Sequence, residues 1–478
     1  MSTLALRLHT PRIATVTWLI GAALACCHDP AHAIADGYFD PTWAGGGHVT
    51  FPGDLDNPSS LSLVEQIAVE SNGNLLLGGI TIGSVNYWWL GELLPGGTPV
   101  QTFGASNGSG TVTSCHLSAT FCGSSNEFRA FALQSDGRIV VLGSDYLLRT
   151  TTHAHALDIA GVAGGLGYVP VATQINNVQG KLKYGAGLAQ AGSGKWLVAG
   201  GGYYSQAASS NIDFVVVRVN ADFSLDQNFN NVVDANNVTF AGGALVAFDI
   251  GGSNPDAAEA VVVQSDGRIV LAGTATTGNS NLALTRLSST GAPDLTFGGS
   301  GTGKITGPAY YPFSALADRA GRMLFALGGP MAVARVKADG TPDASFGTLG
   351  LSTQSPGSCE VQGSAWGVAV DSAGRILVVG SCDILNNGSP VSVFLVERLH
   401  GDDGSLDTSF GANGFSFGAF NTLSEASYGH TVAFDASGHP IIGGRSALKA
   451  GVARLTYDLA FTNDFEFEPR GRIGPIGE

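Results

Sequence analysis

The sequence predicts an all-β fold built from repeated four-stranded units, and two observations lead to this prediction. The chain of 478 residues contains 69 glycines, about 14 per cent where about 7 per cent is usual, and only 13 per cent charged residues. With 44 per cent hydrophobic residues and 19 prolines, this composition excludes a coiled coil, a disordered chain and collagen. The second observation is a sequence repeat, which indicates the number and size of the units.

Each repeat begins with two apolar runs that are joined by a turn, and the second run ends in glycine. The turns contain Asn-Gly, Asp-Gly, Ala-Gly or Ser-Gly, and glycine accepts the positive φ that tight hairpin turns require. The pattern therefore predicts a β-hairpin at each copy. The seven copies are IAVESNGNLLLGG, FALQSDGRIVVLG, LAQAGSGKWLVAG, VVVQSDGRIVLAG, ALADRAGRMLFALGG, VAVDSAGRILVVG and VAFDASGHPIIGG.

A second signature follows the hairpin in most units. An apolar run carrying arginine leads, eight or nine residues later, to D-x-x-F, as from Arg286 to Asp294 and Phe297. The run predicts a third strand, and a short stretch such as 304–306 predicts a fourth. Four antiparallel strands in about 60 residues, seven times over, are typical of a seven-bladed β-propeller, here spanning 34–461. Because the arginine and aspartate recur, we expect them to be scaffold residues, with the guanidinium on turn carbonyls or on the D-x-x-F carboxylate.

The two ends of the repeat region predict how the ring closes. Residues 35–43 match the A-D-G-x-x-D-x-x-F string at 338–346, with tryptophan in place of phenylalanine, and lead into a strand at 48–51. The last unit ends with a third strand at 452–455 and has no clear fourth. We expect the amino-terminal strand to complete this unit and so to remove two open sheet edges.

The strings SDGRIVLAG, LALTRLSSTGAPDLTFG and VARVKADGTPDASFG resemble the delta-60 repeat, a glycine-rich bacterial repeat. The resemblance covers nearly all of the chain after residue 33. Two units depart from it: the first has no aspartate in 99–103, and in the second the D-x-x-F element is unrecognisable within 146–167. The resemblance implies a β-propeller in an exported or surface protein, and it supplies no catalytic residues.

Residues 1–33 have the pattern of a secretory signal peptide. Arg7 and Arg12 precede an apolar run at 13–25 that is too short to span a bilayer, and Ala31-His32-Ala33 is a small-residue cleavage site. We therefore expect a secreted, periplasmic or cell-surface protein.

An uncleaved anchor and a lipoprotein signal are the alternatives to cleavage near residue 33. Leu24 stands three residues before Cys27, as in a lipoprotein signal, but Cys26 occupies the place where glycine or alanine is usual. No apolar run after residue 33 is long enough to predict an integral membrane segment. The tail at 462–478 has no repeat match and is expected to be irregular.

Four cysteines follow the signal segment. Because the expected compartment is oxidising, we expect the disulfides Cys115–Cys122 and Cys359–Cys382. A zinc site is the alternative, although the spacings contain no C-x-x-C pair.

The charge balance argues against nucleic acid as a partner. The formal net charge is −15, and the 23 basic residues are scattered singly among 38 acids rather than clustered on one face. The expected partner is an extracellular protein or a glycan, bound by a monomer without a cofactor.

One aligned position stands out from the uniform frame of the hairpins. The residues five before each turn glycine are all apolar, whereas those eight before it differ widely in chemistry. If the first strand is innermost, the latter side chains surround one mouth of the central channel and form a candidate ligand site. The alternative interpretation is that strand ends tolerate any residue. The seven residues are Glu65, Arg129, Ala186, Glu259, Phe313, Trp366 and His430.

The sequence contains no recognisable catalytic or metal motif. The aspartates at 222–234 and 402–407 do not fit a calcium loop, and His153, His155 and Asp158 lack a firm additional metal ligand. No nucleophile elbow, phosphate loop or H-E-x-x-H string is present. These observations favour a non-enzymatic binding module at the cell surface. The alternative is an exported hydrolase or lyase that acts on polysaccharide or another extracellular substrate.

Overall fold

The computed structural model describes residues 37–51, 60–83, 86–104, 110–118, 127–154, 156–171, 181–203, 212–230, 242–246, 248, 256–276, 280–318, 320–329, 331–357, 359 and 361–457. The predicted signal segment at 1–33, the predicted tail at 462–478, Cys122 and His155 lie outside these residues. None of the helices in the described residues has the length and hydropathy needed to cross a membrane.

The described residues form seven four-stranded antiparallel sheets, which confirms the predicted seven-bladed β-propeller. In each of blades 1 to 6 the four strands are consecutive in the chain, and their spatial order is their chain order. The strands are β1 (His48–Phe51), β2 (Leu61–Val69), β3 (Leu75–Ile82), β4 (Tyr87–Leu93), β5 (Thr111–Thr113), β6 (Phe128–Leu133), β7 (Ile139–Gly143), β8 (Tyr146–Arg149), β9 (Tyr168–Pro170), β10 (Lys181–Gln190), β11 (Trp196–Tyr203), β12 (Asp213–Val219), β13 (Gly243–Val246), β14 (Ala257–Val263), β15 (Ile269–Thr276), β16 (Ser280–Leu287), β17 (Lys304–Thr306), β18 (Pro312–Ala317), β19 (Met323–Leu327), β20 (Ala332–Val336), β21 (Leu351–Thr353), β22 (Val361–Val370), β23 (Ile376–Asn386), β24 (Ser389–Leu399), β25 (Phe415–Gly418), β26 (Ser427–Phe434), β27 (Pro440–Ser446) and β28 (Lys449–Arg454).

The hairpin turns are stabilised by the chemistry that the repeat predicts. In the turn between β14 and β15, Gly267 has φ +82° and the backbone N–H of Arg268 donates to Asp266 Oδ1 at 3.0 Å. Glycine supplies the left-handed conformation and aspartate caps the turn, so the two apolar runs pair as neighbouring strands.

Blade 7 is completed by the amino-terminal strand, as the sequence predicts. β1 pairs with β28, with Val49 opposite Val452, and the sheet order is β1, β28, β27, β26. Arg454 strengthens this closure, because its Nη2 lies 2.5 Å from Asp40 Oδ2 and its Nη1 lies 3.2 Å from Asp435 Oδ2. The closure therefore combines backbone pairing with a partly buried ionic contact.

The repeated arginine and aspartate form a scaffold that joins neighbouring blades. Arg286 Nε donates to Asp294 in its own blade at 2.8 Å, and its Nη1 donates to the carbonyl of Ala338 in the next blade at 2.6 Å. The same guanidinium lies 4.7 Å from the centre of the Phe297 ring. This arrangement confirms both predicted partners of the arginine. It also holds the pKa of Asp294 at about 2: burial raises that pKa, but hydrogen bonds from Thr296 and the charge of Arg286 outweigh the burial.

The second unit keeps the same scaffold although its sequence departs from the repeat. Arg149 Nε donates to Asp158 at 2.8 Å, and Arg149 Nη1 donates to the carbonyl of Ala221 in the next blade at 2.7 Å. Arg138 also donates to Asp158 at 2.8 Å. Asp158 therefore serves the scaffold at this position.

The disulfide between Cys359 and Cys382 is present, with 5.7 Å between the Cα atoms. It ties the chain entering β22 to a residue within β23. Cys115 is also disulfide-bonded, while its predicted partner, Cys122, lies outside the described residues.

Candidate functional site

The first strand of each blade lines the central channel. Each of these strands is the edge strand of its sheet, and each contacts the first strands of both neighbouring blades. The seven contacts form a closed circle, which confirms that the first strand is innermost. The seven strands are β2, β6, β10, β14, β18, β22 and β26.

Every one of these inner strands contains a β-bulge at the aligned position that the sequence singled out. In β14, for example, Ala258 pairs with Gly273 and Ala260 pairs with Ala272, so Glu259 has no partner on β15. A bulge leaves one residue unpaired and redirects its side chain away from the regular alternation of the strand. We call the seven bulged residues the channel ring: Glu65, Arg129, Ala186, Glu259, Phe313, Trp366 and His430.

The bulges also explain the glycine that ends five of the seven copies of the hairpin string. In five blades the carbonyl two residues before the ring residue points at a glycine on the second strand. A Cβ atom on Gly273 would lie 1.9 Å from the carbonyl oxygen of Ala257, and one on Gly79 would lie 2.0 Å from that of Leu63. Only glycine permits this approach, so the repeated glycine makes room for the bulge that positions the ring residue.

One half of the ring is aromatic. The Phe313 and Trp366 rings stack with 4.1 Å between centroids and 29° between planes, and Trp366 contacts His430 with 5.0 Å between centroids. Tyr311 extends the series, at 5.1 Å from Phe313. These four residues, which we call the aromatic arc, connect blades 5, 6 and 7 at the channel mouth.

The other half of the ring is polar. The hydroxyl of Tyr311 donates to the carboxylate of Glu259. Burial raises the pKa of Glu259, and the Tyr311 hydrogen bond and the charge of Arg129 only partly oppose this effect. Burial and the charge of Glu259 raise the pKa values of both Tyr311 and Tyr184. Residues from blades 2, 3, 4 and 5 therefore act on one another electrostatically at this mouth.

Two further contacts complete the ring. The Nδ1 of His430 lies 4.0 Å from Glu65 Oε2, which links blade 7 to blade 1. Arg129 pairs with Glu127 at 2.8 Å and donates to Ser144 at 3.1 Å. The ring residues with longer side chains are half-buried, whereas Ala186 is buried. The structure thus brings all the predicted site residues to one end of the channel.

Sequence reasoning missed the residues two positions before the ring. Tyr311, Tyr184 and Glu127 occupy that aligned position in their blades and take part in the contacts described above. The three tyrosines in this column, including Tyr428, were a signal that could have revealed it. Since the ring residues are bulged, the regular alternation of a strand does not place these side chains, and their contacts are what show that they lie at the ring.

The two ends of the propeller differ in their connections. The turns between the first two strands of each blade, at the end opposite the ring, are uniform: 70–74, 134–138, 191–195, 264–268, 318–322, 371–375 and 435–439. The connections between blades, at the ring end, vary from the short 307–311 to the long 114–127. The connections from the third to the fourth strand, at the end opposite the ring, vary as well, from 337–350 to 220–242, so loop length by itself does not single out the ring end.

No group of three or more His, Cys, Asp or Glu side chains in the described residues is arranged to hold a metal ion. Of the sequence candidate at 153–158, Asp158 pairs with two arginines, and His155 lies outside the described residues.

Comparison with known families finds one match, to the family described as "Domain of unknown function (DUF5122) beta-propeller", at residues 192–229 and 264–297. These segments are the hairpin-to-D-x-x-F regions of blades 3 and 4. No curated protein matches the chain.

Solved structures that resemble the chain share little sequence with it. The extracellular domain of BT4673 from B. thetaiotaomicron is 10% identical, with a TM-score of 0.39; the alignment covers 85% of this chain and 40% of that chain. A protein of unknown function from Bacteroides caccae is 10% identical, with a TM-score of 0.39, 75% coverage of this chain and 99% of that chain. YCF48 bound to D1 peptide is 11% identical, with a TM-score of 0.45 and coverage of 90% and 100%. The family match describes residues 192–229 and 264–297 as β-propeller sequence, in agreement with the seven four-stranded blades of the described residues.

Proposed function

We propose that this chain is an exported, non-enzymatic binding module whose ligand docks in the channel ring. The observation that carries the proposal is the bulge at one aligned position of all seven inner strands. Seven bulges direct side chains of six residue types to one concave mouth, whereas the column three residues further along each strand is apolar throughout. A purely structural column would be expected to repeat one residue type, as the scaffold arginine does.

Export is supported by the signal-peptide pattern at 1–33 and by the disulfide between Cys359 and Cys382. Disulfides persist in oxidising compartments and are rare in the cytosol. We also assign the repeat to the delta-60 type, on the recurrence of the glycine-rich hairpin string and D-x-x-F in fixed order. Mass spectrometry of the protein secreted by its bacterial host, with a new amino terminus near residue 34, tests export and cleavage together.

The binding function is tested by screening the mature monomer against a glycan array and a peptide library. Any ligand found is then titrated against the triple variant Glu65→Ala/Glu259→Ala/Trp366→Ala. The matched control is Leu295→Ala/Leu349→Ala/Asp402→Ala, which changes three exposed side chains at the opposite end of the propeller. We expect at least tenfold weaker binding for the ring variant and unchanged binding for the control. Ligands that bind both variants equally well would refute the assignment of the site.

A second candidate function is the cleavage of polysaccharide, and one observation favours it. Burial raises the pKa of Glu259, as burial does for the general acids of many enzymes, and Glu65 supplies another carboxylate in the same ring. Incubation with extracellular polysaccharides, followed by measurement of new reducing ends, tests this function. Activity that disappears in Glu259→Gln would establish the enzyme and replace the binding proposal.

A further inference from the structure

The channel ring has an excess of negative charge. Among the described residues, no lysine or arginine forms an ion pair with Glu65 or Glu259, and the ion pair of Arg129 is with Glu127 at 2.8 Å. Within ion-pair distance among the described residues, Glu65 has the imidazole of His430 at 4.0 Å, which is charged only when protonated. The charge of Arg129 reaches Glu259 but opposes the effect of burial on its pKa only in part, so the carboxylates of the ring outnumber its permanent positive charges. An anionic ligand would be repelled here, and a cationic one attracted.

The aromatic residues of the ring are already engaged with one another. Trp366 contacts a ring on each neighbouring blade, Phe313 on blade 5 and His430 on blade 7. A sugar that stacks on tryptophan needs a free indole face, so this arrangement disfavours a pyranose lying on Trp366. The edges of the rings in the aromatic arc still line the channel mouth.

Blade 3 differs from the others at the ring position. Its residue, Ala186, adds only a methyl group, and Tyr184, two residues earlier, lies close enough to Glu259 and Arg129 for their charges to act on its hydroxyl. A cation that approaches Glu259 therefore meets the phenol groups of Tyr184 and Tyr311 as well. Carboxylate and aromatic rings together are the groups that bind ammonium and guanidinium ions in proteins.

We propose that the channel ring binds a basic side chain, lysine or arginine, that a peptide segment of a partner protein inserts into the channel mouth. This inference rests on the proposed binding function and specifies its ligand. Glu259 and Glu65 receive the charged head through charge-assisted hydrogen bonds, Tyr184 and Tyr311 contact it with their rings, and the aromatic arc packs against its aliphatic stem. We expect one inserted side chain rather than a longer segment, because the seven inner strands surround a single channel mouth.

Isothermal titration calorimetry with short peptides tests this inference. The probe is acetyl-Gly-Gly-Lys-Gly-Gly-amide, together with the counterparts that carry arginine, norleucine or glutamate in place of lysine. Norleucine retains the aliphatic stem and removes the charge. We expect binding of the lysine and arginine peptides, at least tenfold weaker binding of the norleucine peptide, and no binding of the glutamate peptide. The affinity should fall as the salt concentration rises.

Charge-removing variants separate binding in the ring from general attraction to an acidic protein. We expect Glu259→Gln and Glu65→Gln each to weaken binding of the lysine peptide by tenfold or more. The matched control is Asp402→Asn, which removes one exposed negative charge at the opposite end of the propeller and should leave the affinity unchanged. Equal losses in all three variants would show non-specific attraction and overturn the inference.

The two proposals can fail separately. If the lysine peptide does not bind while another ligand binds in a Trp366-dependent way, the binding function stands and the basic side chain is wrong. Glucosamine, tested against N-acetylglucosamine, provides a further comparison, because only the former carries a cation. Ring-dependent binding of glucosamine without binding of the lysine peptide would also overturn the peptide assignment.

Discussion

The indole of Trp366 stacks on the phenyl ring of Phe313 in the neighbouring blade, with 4.1 Å between their centroids. Both residues are bulged out of the pairing with their second strands, so neither side chain is held by the regular alternation of a sheet. The contact joins blades 5 and 6 at the channel mouth while both residues remain half-buried. Because both rings are half-buried, a ligand in the channel mouth can contact them, which it could not do with rings that are fully buried in the core.

Replacement of Trp366 by alanine tests this distinction. Because the indole is half-buried, we expect Trp366→Ala to lower the free energy of unfolding by about 1–2 kcal/mol, mostly through the lost ring contacts. Urea denaturation followed by circular dichroism provides the measurement. The comparison is Phe346→Ala, which removes a ring that is 0% exposed and should cost about 3–5 kcal/mol. Equal costs for the two variants would identify Trp366 as a core residue.

The glycine opposite the bulge in blade 4 is expected to be irreplaceable. A Cβ atom at Gly273 would lie 1.9 Å from the carbonyl oxygen of Ala257, so Gly273→Ala requires the backbone of β14 or β15 to move. We expect a loss of roughly 3 kcal/mol or more in the free energy of unfolding, measured by urea denaturation. The control is Gly96→Ala, where no atom lies within 4 Å of the added Cβ and the change should stay within about 0.5 kcal/mol. A Gly273→Ala protein as stable as the control would contradict the bulge geometry.

Ring closure should depend on Arg454 in a pH-dependent way. Burial raises the pKa of Asp40, but hydrogen bonds from Thr42 and the contact with Arg454 outweigh it, so the pKa lies below 3.8. A carboxyl whose pKa is lowered by folding stabilises the protein above its unfolded pKa, and this contribution disappears as the pH falls through the folded pKa. Arg454→Met should therefore cost about 2–4 kcal/mol at pH 7, and less when the pH is below 3.8.

Urea titrations of the native protein and of Arg454→Met at pH 7 and pH 3 measure this difference. Arg445→Met serves as the control, because this arginine of the same blade lies 4.0 Å from the Tyr428 ring and donates to the carbonyl of Ala447. Its loss should cost less, and the cost should not depend on pH in this range. An Arg454→Met defect that is the same at both pH values would rule out the ionic contribution to closure.

A buried carboxyl in β24 should make the protein less stable as the pH rises from 4.5 to about 8. Glu397 is 0% exposed, neither carboxyl oxygen has a hydrogen-bond partner among the residues that the structure describes, and burial raises its pKa from 4.5 to about 8. Folding keeps the proton on this group, so stability is greatest below the unfolded pKa and falls as the pH rises towards the folded pKa.

Glu397→Gln removes this titration while keeping the size of the side chain. We expect the stability of the variant relative to the native protein to increase steadily between pH 4.5 and about 8, by several kcal/mol in total. Urea midpoints at intervals of one pH unit measure the difference. A difference that does not change with pH would mean that Glu397 titrates normally in the folded protein.

The fold was predictable because it depends on short sequence patterns that recur in most of the repeats. Hairpin turns with glycine, the arginine eight or nine residues before an aspartate, and the matching strings at 35–43 and 338–346 each describe a contact between neighbours in the ring. Repetition compensates for the weakness of each signal, since a contact that recurs seven times is seen even where one copy is lost. Blade 2 illustrates this: its D-x-x-F string is missing, yet Asp158 takes the aspartate position beside Arg149.

The candidate site was only partly predictable. The ring column was identified because its chemistry varies within a uniform frame, but nothing local indicated that each ring residue is bulged. Tyr184 and Tyr311 were missed because a regular strand would not bring them beside the ring residues of other blades. The glycine that ends most copies of the hairpin string was interpreted as the end of a strand, whereas Gly273 is needed for the close approach of a carbonyl.

By itself, the sequence determined the blade pattern, the seven units, the closure by the amino-terminal strand and the position of the variable column. All of these depend on contacts between residues that are close in the chain or equivalent in the repeat. Only the tertiary structure decided that Phe313, Trp366 and His430 form one arc and that Glu259 lies beside Tyr311 and within electrostatic reach of Arg129. These neighbours come from different blades, and only closure of the ring brings them together.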